Sequence, residues 1–507
     1  VGAVVTLASN TNLTLGGGSS SGELIFELGA NTAASDAIAF TGSGALTVGA
    51  GGGLISALNL GTMTATSYNI ITGPNNIVNP GNLDLGSLPG GFTYSLDTAS
   101  DLTKVTLIST AAAGGDLWWR GGSATGANTS WSTLAGGDSN WSTTANGTTE
   151  AGFTPGASNT VNFSGMTSAN YTTTLDNFYS VTGINILTGG GAVTISTGTT
   201  GSLTVGSGGI DVQTGAPTVT TINAPVILGA SQDWTVTDGG SSLIVRGDIS
   251  ESSVSNLTKN GAGTLTLTGT NTYSGTTTIS AGTLKVGNGG ASGSLGTGAV
   301  TNNAALIVDR TGTLTVANVI SGSGTLTKSS TGTLLLSGAN TFTGGVTLGG
   351  GNNANNLTQI GVDSVGTVGA ITSSALGTGT VTVLGGRLSS DSTAARTVLN
   401  AIEVGSGGFN IGDGTNNGLL TFDGGINLDI TRSIRMSSSA IFNGVVTGGI
   451  ISKTGGGVLT LAGNNTNGGI RAEGGVTFIT NAGALGASNW LSGTNSVLRI
   501  GDGLTIT

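Results

Sequence analysis

The sequence has 507 residues, 95 of them Gly, with 14 Lys or Arg against 24 Asp or Glu and neither Cys nor His. Absent Cys excludes disulfides, zinc ribbons, thiol nucleophiles and iron–sulfur ligation, and absent His excludes Ser-His-Asp chemistry, imidazole metal sites and a His-based pH switch. A net charge of −10 leaves no electrostatic footprint for nucleic acid or an anionic membrane. Disorder is not expected either: 36% of residues are hydrophobic, Pro numbers only 6, and the apolar residues alternate with Thr in short runs. There is no run of 18 apolar residues to span a bilayer as a helix. Val1 opens in mid-pattern, so the segment is expected to be part of a longer precursor whose export signal lies elsewhere.

Taken in chain order, residues 1–113 read as the terminal part of a β-solenoid or β-rich unit. The stretch Gly81–Thr110 looks like a closing hairpin. Residues 114–182 form a Trp-rich irregular junction or cap carrying Trp118, Trp119, Trp131 and Trp141, four of the six Trp in the chain. Two readings compete there. Exposed indoles would make a glycan-stacking platform; buried ones would cap the open end of a coil, and the cap is preferred.

Residues 183–507 are the main body, and here the sequence repeats itself. LTKNGAGTLTLTGTNTYSGTTTISAGTLKVG (Leu257–Gly287), LTKSSTGTLLLSGANTFTGGVTLGGG (Leu326–Gly351) and ISKTGGGVLTLAGNNTNGGIRAEGGVTF (Ile451–Phe478) align. Lys259, Lys328 and Lys453 are equivalent, as are Asn271, Asn340 and Asn465; Tyr273 matches Phe342, and Asn467 breaks the aromatic. A second element recurs as SLGTGAV (Ser294–Val300), ALGTGTV (Ala375–Val381) and ALGAS (Ala484–Ser488).

Runs this short cannot bury an apolar face against a helical layer, because no helical periodicity is present to build one. Stacking one coil on the next solves the problem: Leu, Val and Ile form inward ladders, Thr and Ser face solvent, and Gly and Asn turn the corners. The fold class is therefore all-β, a parallel β-solenoid (β-helix) expected to wind right-handed in coils of roughly 20–25 residues. A pair of β-sandwiches is the alternative, but hairpins at regular intervals are not evident.

The pattern G-x-G-T-L-T-L-x-G-x-N-T-[YF]-x-G followed by x-G-T-L resembles the autotransporter-associated β-strand repeat of bacterial type V–secreted proteins. It is carried by Gly261, Gly263, Thr264, Leu265, Thr266, Leu267, Gly269, Asn271, Thr272, Tyr273, Gly275, Gly282, Thr283 and Leu284, and again from Gly332 through Gly344. The resemblance implies an exported passenger built as a β-helical stalk at a bacterial surface or outside the cell.

Catalysis has little to stand on. Asp309, Asp363, Asp391, Asp413, Asp423, Asp429 and Asp502 are scattered, with no paired carboxylates for glycoside hydrolysis and no stacked calcium turns. The three equivalent lysines are expected to keep strand edges soluble, and the equivalent asparagines to bond the backbone at coil corners. The expectation is thus a non-catalytic extracellular stalk, fibre or surface-layer subunit without cofactor or metal. It would self-associate head-to-tail or as tandem units. The alternative is an adhesin that binds surface glycans or neighbouring cells, and a polysaccharide lyase or hydrolase comes last.

Overall fold

A strand whose apolar residues alternate needs partners along both edges. A coil that returns to the same place after one turn supplies them without hairpins. The computed structural model shows this arrangement throughout. It describes all residues except 1–3, 8–11, 17–21, 29–34, 41–44, 60–66, 74–76, 87, 89–91, 102, 122–128, 132–138, 165–170, 350–355, 492–494 and 505–507. Contacts divide the chain into two compact units, Val1–Ser255 and Asn256–Thr507. Among the described residues there is no α-helix.

Unit Asn256–Thr507 is a parallel β-solenoid. Thr264–Leu267 pairs in register with Thr283–Val286, then Ala305–Val308, Thr325–Lys328, Val346–Leu348, Val381–Val383, Ile402–Val404, Ile426–Leu428 and Val446–Gly448. The inward rung of this sheet reads Leu265, Leu284, Leu306, Leu326, Val346, Val381, Ile402, Ile426 and Val446, and all are buried. Further sheets run beside it, one beginning at Leu314–Val316 and Thr333–Leu336, another at Arg396–Val398 and Leu420–Phe422. Where Phe rather than aliphatic residues stack, Phe409, Phe422 and Phe442 meet edge to face. Thr264 faces Thr283 and Thr283 faces Ala305, so a coil takes about 20 residues, close to the sequence expectation. The exception lies between Val346 and its partner Val381, where an antiparallel hairpin, Val365–Thr367 with Ala370–Ser373, lengthens the coil.

Unit Val1–Ser255 uses the same principle with two coil sizes. Leu13 aligns with Leu46 and Leu46 with Ile77, so the first coils take more than 30 residues, longer than the sequence suggested. Three short sheets enclose one core that includes Phe26, Leu28, Tyr68, Ile70 and Leu107. The stretch Gly81–Thr110 contains the hairpin expected there: Phe92–Asp97 pairs antiparallel with Lys104–Ala111, which also pairs antiparallel with Ser67–Thr72. From Asn159–Phe163 onward the coils shorten. Val161 lies beside Ile184, Ile184 beside Ile210, and Ile210 beside Trp234.

Candidate functional site

The Trp-rich segment lies at the outer edge of a sheet in unit Val1–Ser255. Gly115–Trp119 runs parallel to Asn159–Phe163, and Trp141–Ser142 pairs antiparallel outside it. Trp119, Trp131 and Trp141 are all 0% exposed. Their rings meet edge to face, 5.2 Å apart for Trp119–Trp141 and 4.9 Å for Trp131–Trp141, with Phe163 and Tyr179 completing the cluster. Buried indole N–H groups need acceptors. Trp131 Nε1 donates to Thr173 Oγ1 at 3.0 Å, and Trp141 Nε1 to the Trp131 carbonyl at 3.2 Å. Tyr179 donates its hydroxyl to Asp176, whose other oxygen accepts from Ser130. Burial, followed by that adjacent carboxylate, holds the Tyr179 phenol well above its ordinary pKa.

No sugar can reach the faces of these three indoles. Trp118 differs: it is half-buried and lines an open hollow of about 330 Å³ with Asp116, Leu117, Thr143, Phe153 and Asn159. Phe163, Tyr179 and Asp176, which complete the cluster, escaped the sequence reading. They lie in the next coil, and only the register brings them together.

The repeat motif resolves into two sites. In the first, the asparagine of N-T-[YF] meets the [SA]-L-G element. Asn271 Nδ2 donates to the Ser294 carbonyl at 2.6 Å, Asn340 Nδ2 to Ala375 at 2.7 Å, and Asn465 Nδ2 to Ala484 at 2.6 Å. The amide oxygen of Asn340 also accepts the buried main-chain N–H of Ile320, and that of Asn465 the N–H of Val446, both at 2.8 Å. The two recurrent sequence elements are therefore the two halves of one corner. Its glycine is fixed by the aromatic: a Cβ on Gly377, whose φ is +71°, would stand 2.8 Å from the Phe342 ring, and one on Gly296 2.5 Å from Tyr273. In the third copy Asn467 replaces the ring, and its side-chain oxygen takes the place against Gly486.

The second site is built on the lysines, and here an expectation is corrected. Lys259, Lys328 and Lys453 keep no strand edge soluble, since they are 0%, 1% and 0% exposed. Each occupies an inward rung: Lys259 aligns with Ile279, Lys328 lies between Val308 and Leu348, and Lys453 between Ile434 and Ala472. The aliphatic stem packs like a ladder residue, and the ammonium reaches a corner lined with carbonyls. Lys259 Nζ donates to Asn260, Gly261 and Ala281, and Lys453 Nζ to Gly455, Gly457 and Gly474. Lys328 Nζ donates to the Ser330 carbonyl and to Asn356 Oδ1. Burial pushes all three amines down to about 8.

The scattered acids serve the surface. Asp309 pairs with Lys285 at 2.6 Å, Asp391 and Asp363 share Arg396, and Asp429 pairs with Arg432. Asp423 accepts from Asn443, and Asp413 closes its own turn by accepting from Thr415 N while its other oxygen takes Gln359 Nε2. Asp502 is exposed. Among the described residues, no group of three acids gathers as a metal site.

Fold and corners together define a parallel β-solenoid punctuated by a recurrent corner. The passenger-associated-transport-repeat family matches residues 257–286, 326–352 and 451–486, the three segments that carry the lysine and asparagine corners. One relative is the adhesin BmaC autotransporter of Brucella suis biovar 1 (strain 1330), 57% identical over 56 residues. That alignment takes in 11% of this chain and 2% of the adhesin. No solved structure matches. These three segments of the chain are therefore similar to the repeats of autotransporter passengers.

Proposed function

We propose that the chain is a non-catalytic segment of an extracellular or cell-surface passenger, in which each solenoid serves as a stiff stalk. The observation that carries this reading is the ladder in unit Asn256–Thr507, where nine consecutive coils present one buried aliphatic rung. Such a core resists bending and shear through its ladder bonds and needs no charge, cofactor or cross-link by cysteine to hold. The engaged acids support the same reading: Asp309, Asp391 and Asp429 are held by Lys285, Arg396 and Arg432, and Asp413 by its own turn. Cell fractionation of a tagged precursor tests the location: recovery at the surface or in the medium is expected, and retention in the cytosol contradicts it.

Head-to-tail association belongs to this proposal. Among the described residues, Val4–Leu7 and Ser496–Ile500 are each paired along one edge, with Val5 and Ile500 about half exposed. A contact that does not close on itself would extend into a filament. Filaments in electron micrographs support it, and monodisperse monomers at high concentration count against it.

The second reading is an adhesin, favoured by the stretch shared with the Brucella adhesin and by the hollow at Trp118 and Asp116. A glycan array separates the two: a scaffold gives no signal, and an adhesin of this kind gives signal that Trp118→Ala removes.

A further inference from the structure

The three lysine corners are not equivalent in chemistry. Lys259 and Lys453 donate, among the described residues, to main-chain carbonyls alone. In both, one acceptor lies two residues on, Gly261 or Gly455, and another in the following coil, Ala281 or Gly474. At Lys328 the acceptor two residues on is retained as Ser330. The place in the following coil is taken by a side-chain carboxamide, that of Asn356. Asn356 is 2% exposed, and its Nδ2 donates to the Gly349 carbonyl, which fixes the plane of the amide.

Oδ1, which Nζ contacts, is bonded directly to Cγ, so the hydrogen bond holds the amine beside the carboxamide carbon. The rungs on either side are Val308 and Leu348, both buried, so solvent competes little for either group. A main-chain amide offers no leaving group short of chain cleavage, whereas a carboxamide offers ammonia. We propose that Lys328 and Asn356 form an intramolecular isopeptide bond.

In this reaction the uncharged Nζ adds its lone pair to Cγ, and one Nζ proton passes to Nδ2. The Cγ–Nδ2 bond then breaks and its electron pair leaves with ammonia, giving a secondary amide. Nothing is oxidised or reduced, and no co-reactant enters. Burial lowers the Lys328 amine to about 8, so about a tenth is uncharged at pH 7 and most of it at pH 9. Fixed proximity supplies the remaining advantage. No carboxylate is hydrogen-bonded to the pair among the described residues, so completion is slow and faster in alkali. The product ties one coil to the next in a chain that has no Cys to form a disulfide.

The test is mass spectrometry of the purified, folded chain after incubation at pH 9, followed by denaturation and trypsin. The expected result is an intact mass lower by one ammonia and a single tryptic peptide, Thr311–Arg387, lighter by one ammonia and closed internally between Lys328 and Asn356. Trypsin should fail to cut after Lys328 while cutting after Lys259 and Lys453 in the same digest, which serve as internal controls. Asn356→Ala should retain its full mass and be cut at Lys328. A full sequence mass with free cleavage at Lys328, in a chain shown folded by circular dichroism, overturns the proposal. Conversion of Asn356 to aspartate with free cleavage at Lys328 overturns it equally.

Discussion

At the scale of single residues, the buried lysines set the clearest expectations. Lys259→Met keeps the apolar stem but leaves the corner carbonyls of Gly261 and Ala281 without their donor. A loss of about 1–3 kcal/mol is expected from urea unfolding. The sign of the pH dependence follows from the depressed amines. Between about 8 and the unfolded value of 10.5 the unfolded chain binds protons that the folded chain has released, so stability rises with pH across that window. Below about 8 both states are protonated and the gain is gone. Denaturation midpoints measured from pH 7.5 to 9.5, below the range in which tyrosines titrate, should climb, and less steeply in Lys259→Met; a flat or falling series contradicts the burial described. These lysines were legible in the sequence. In LTK, TLTK and ISK the lysine lies two residues after Leu257, Leu326 or Ile451, on the face that alternation turns inward. Charge outweighed phase in the sequence reading. The Asn356 contact was not legible, because nothing in the linear pattern says that a carboxamide 28 positions downstream returns to Lys328.

Among elements, the corner joining N-T-[YF] to [SA]-L-G fixes the turn in the three coils that carry it. Asn340→Ala would leave the Ile320 N–H and the Ala375 carbonyl unpaired and buried, for a cost of about 1–3 kcal/mol. Gly377→Ala meets both a left-handed backbone and the Phe342 ring. It should cost roughly 1–2 kcal/mol from the backbone alone, with the ring contact in addition, as measured by thermal unfolding. The two motifs were each visible as repeats, but their pairing was not, since nothing in a linear pattern says which corner faces which. The Trp-rich segment follows the same lesson. Its indoles were read as cap or platform, and the structure buries three of them against Phe163 and Tyr179 while leaving Trp118 half-buried. Trp131→Ala should cost about 3–5 kcal/mol in denaturant. If it left stability intact, the packed cluster would be the wrong description.

For the molecule as a whole, composition limited the function more firmly than any motif did. Without His or Cys, no group with an ordinary pKa near neutrality and no thiol couples the fold to its surroundings. The period-2 runs made the solenoid legible, because no other all-β arrangement hides so many short apolar faces without hairpins. The longer coils of the first hundred residues were not, since Leu13, Leu46 and Ile77 are joined by segments that share no repeated pattern. Coils that touch only their neighbours should come apart one at a time under load. Single-molecule stretching of unit Asn256–Thr507, held within the whole chain, addresses this most directly. A load-bearing stalk of stacked coils gives a staircase whose steps each release about 20 residues, roughly 70 Å of extended chain. One abrupt extension of the entire unit, or release at negligible force, would contradict the account.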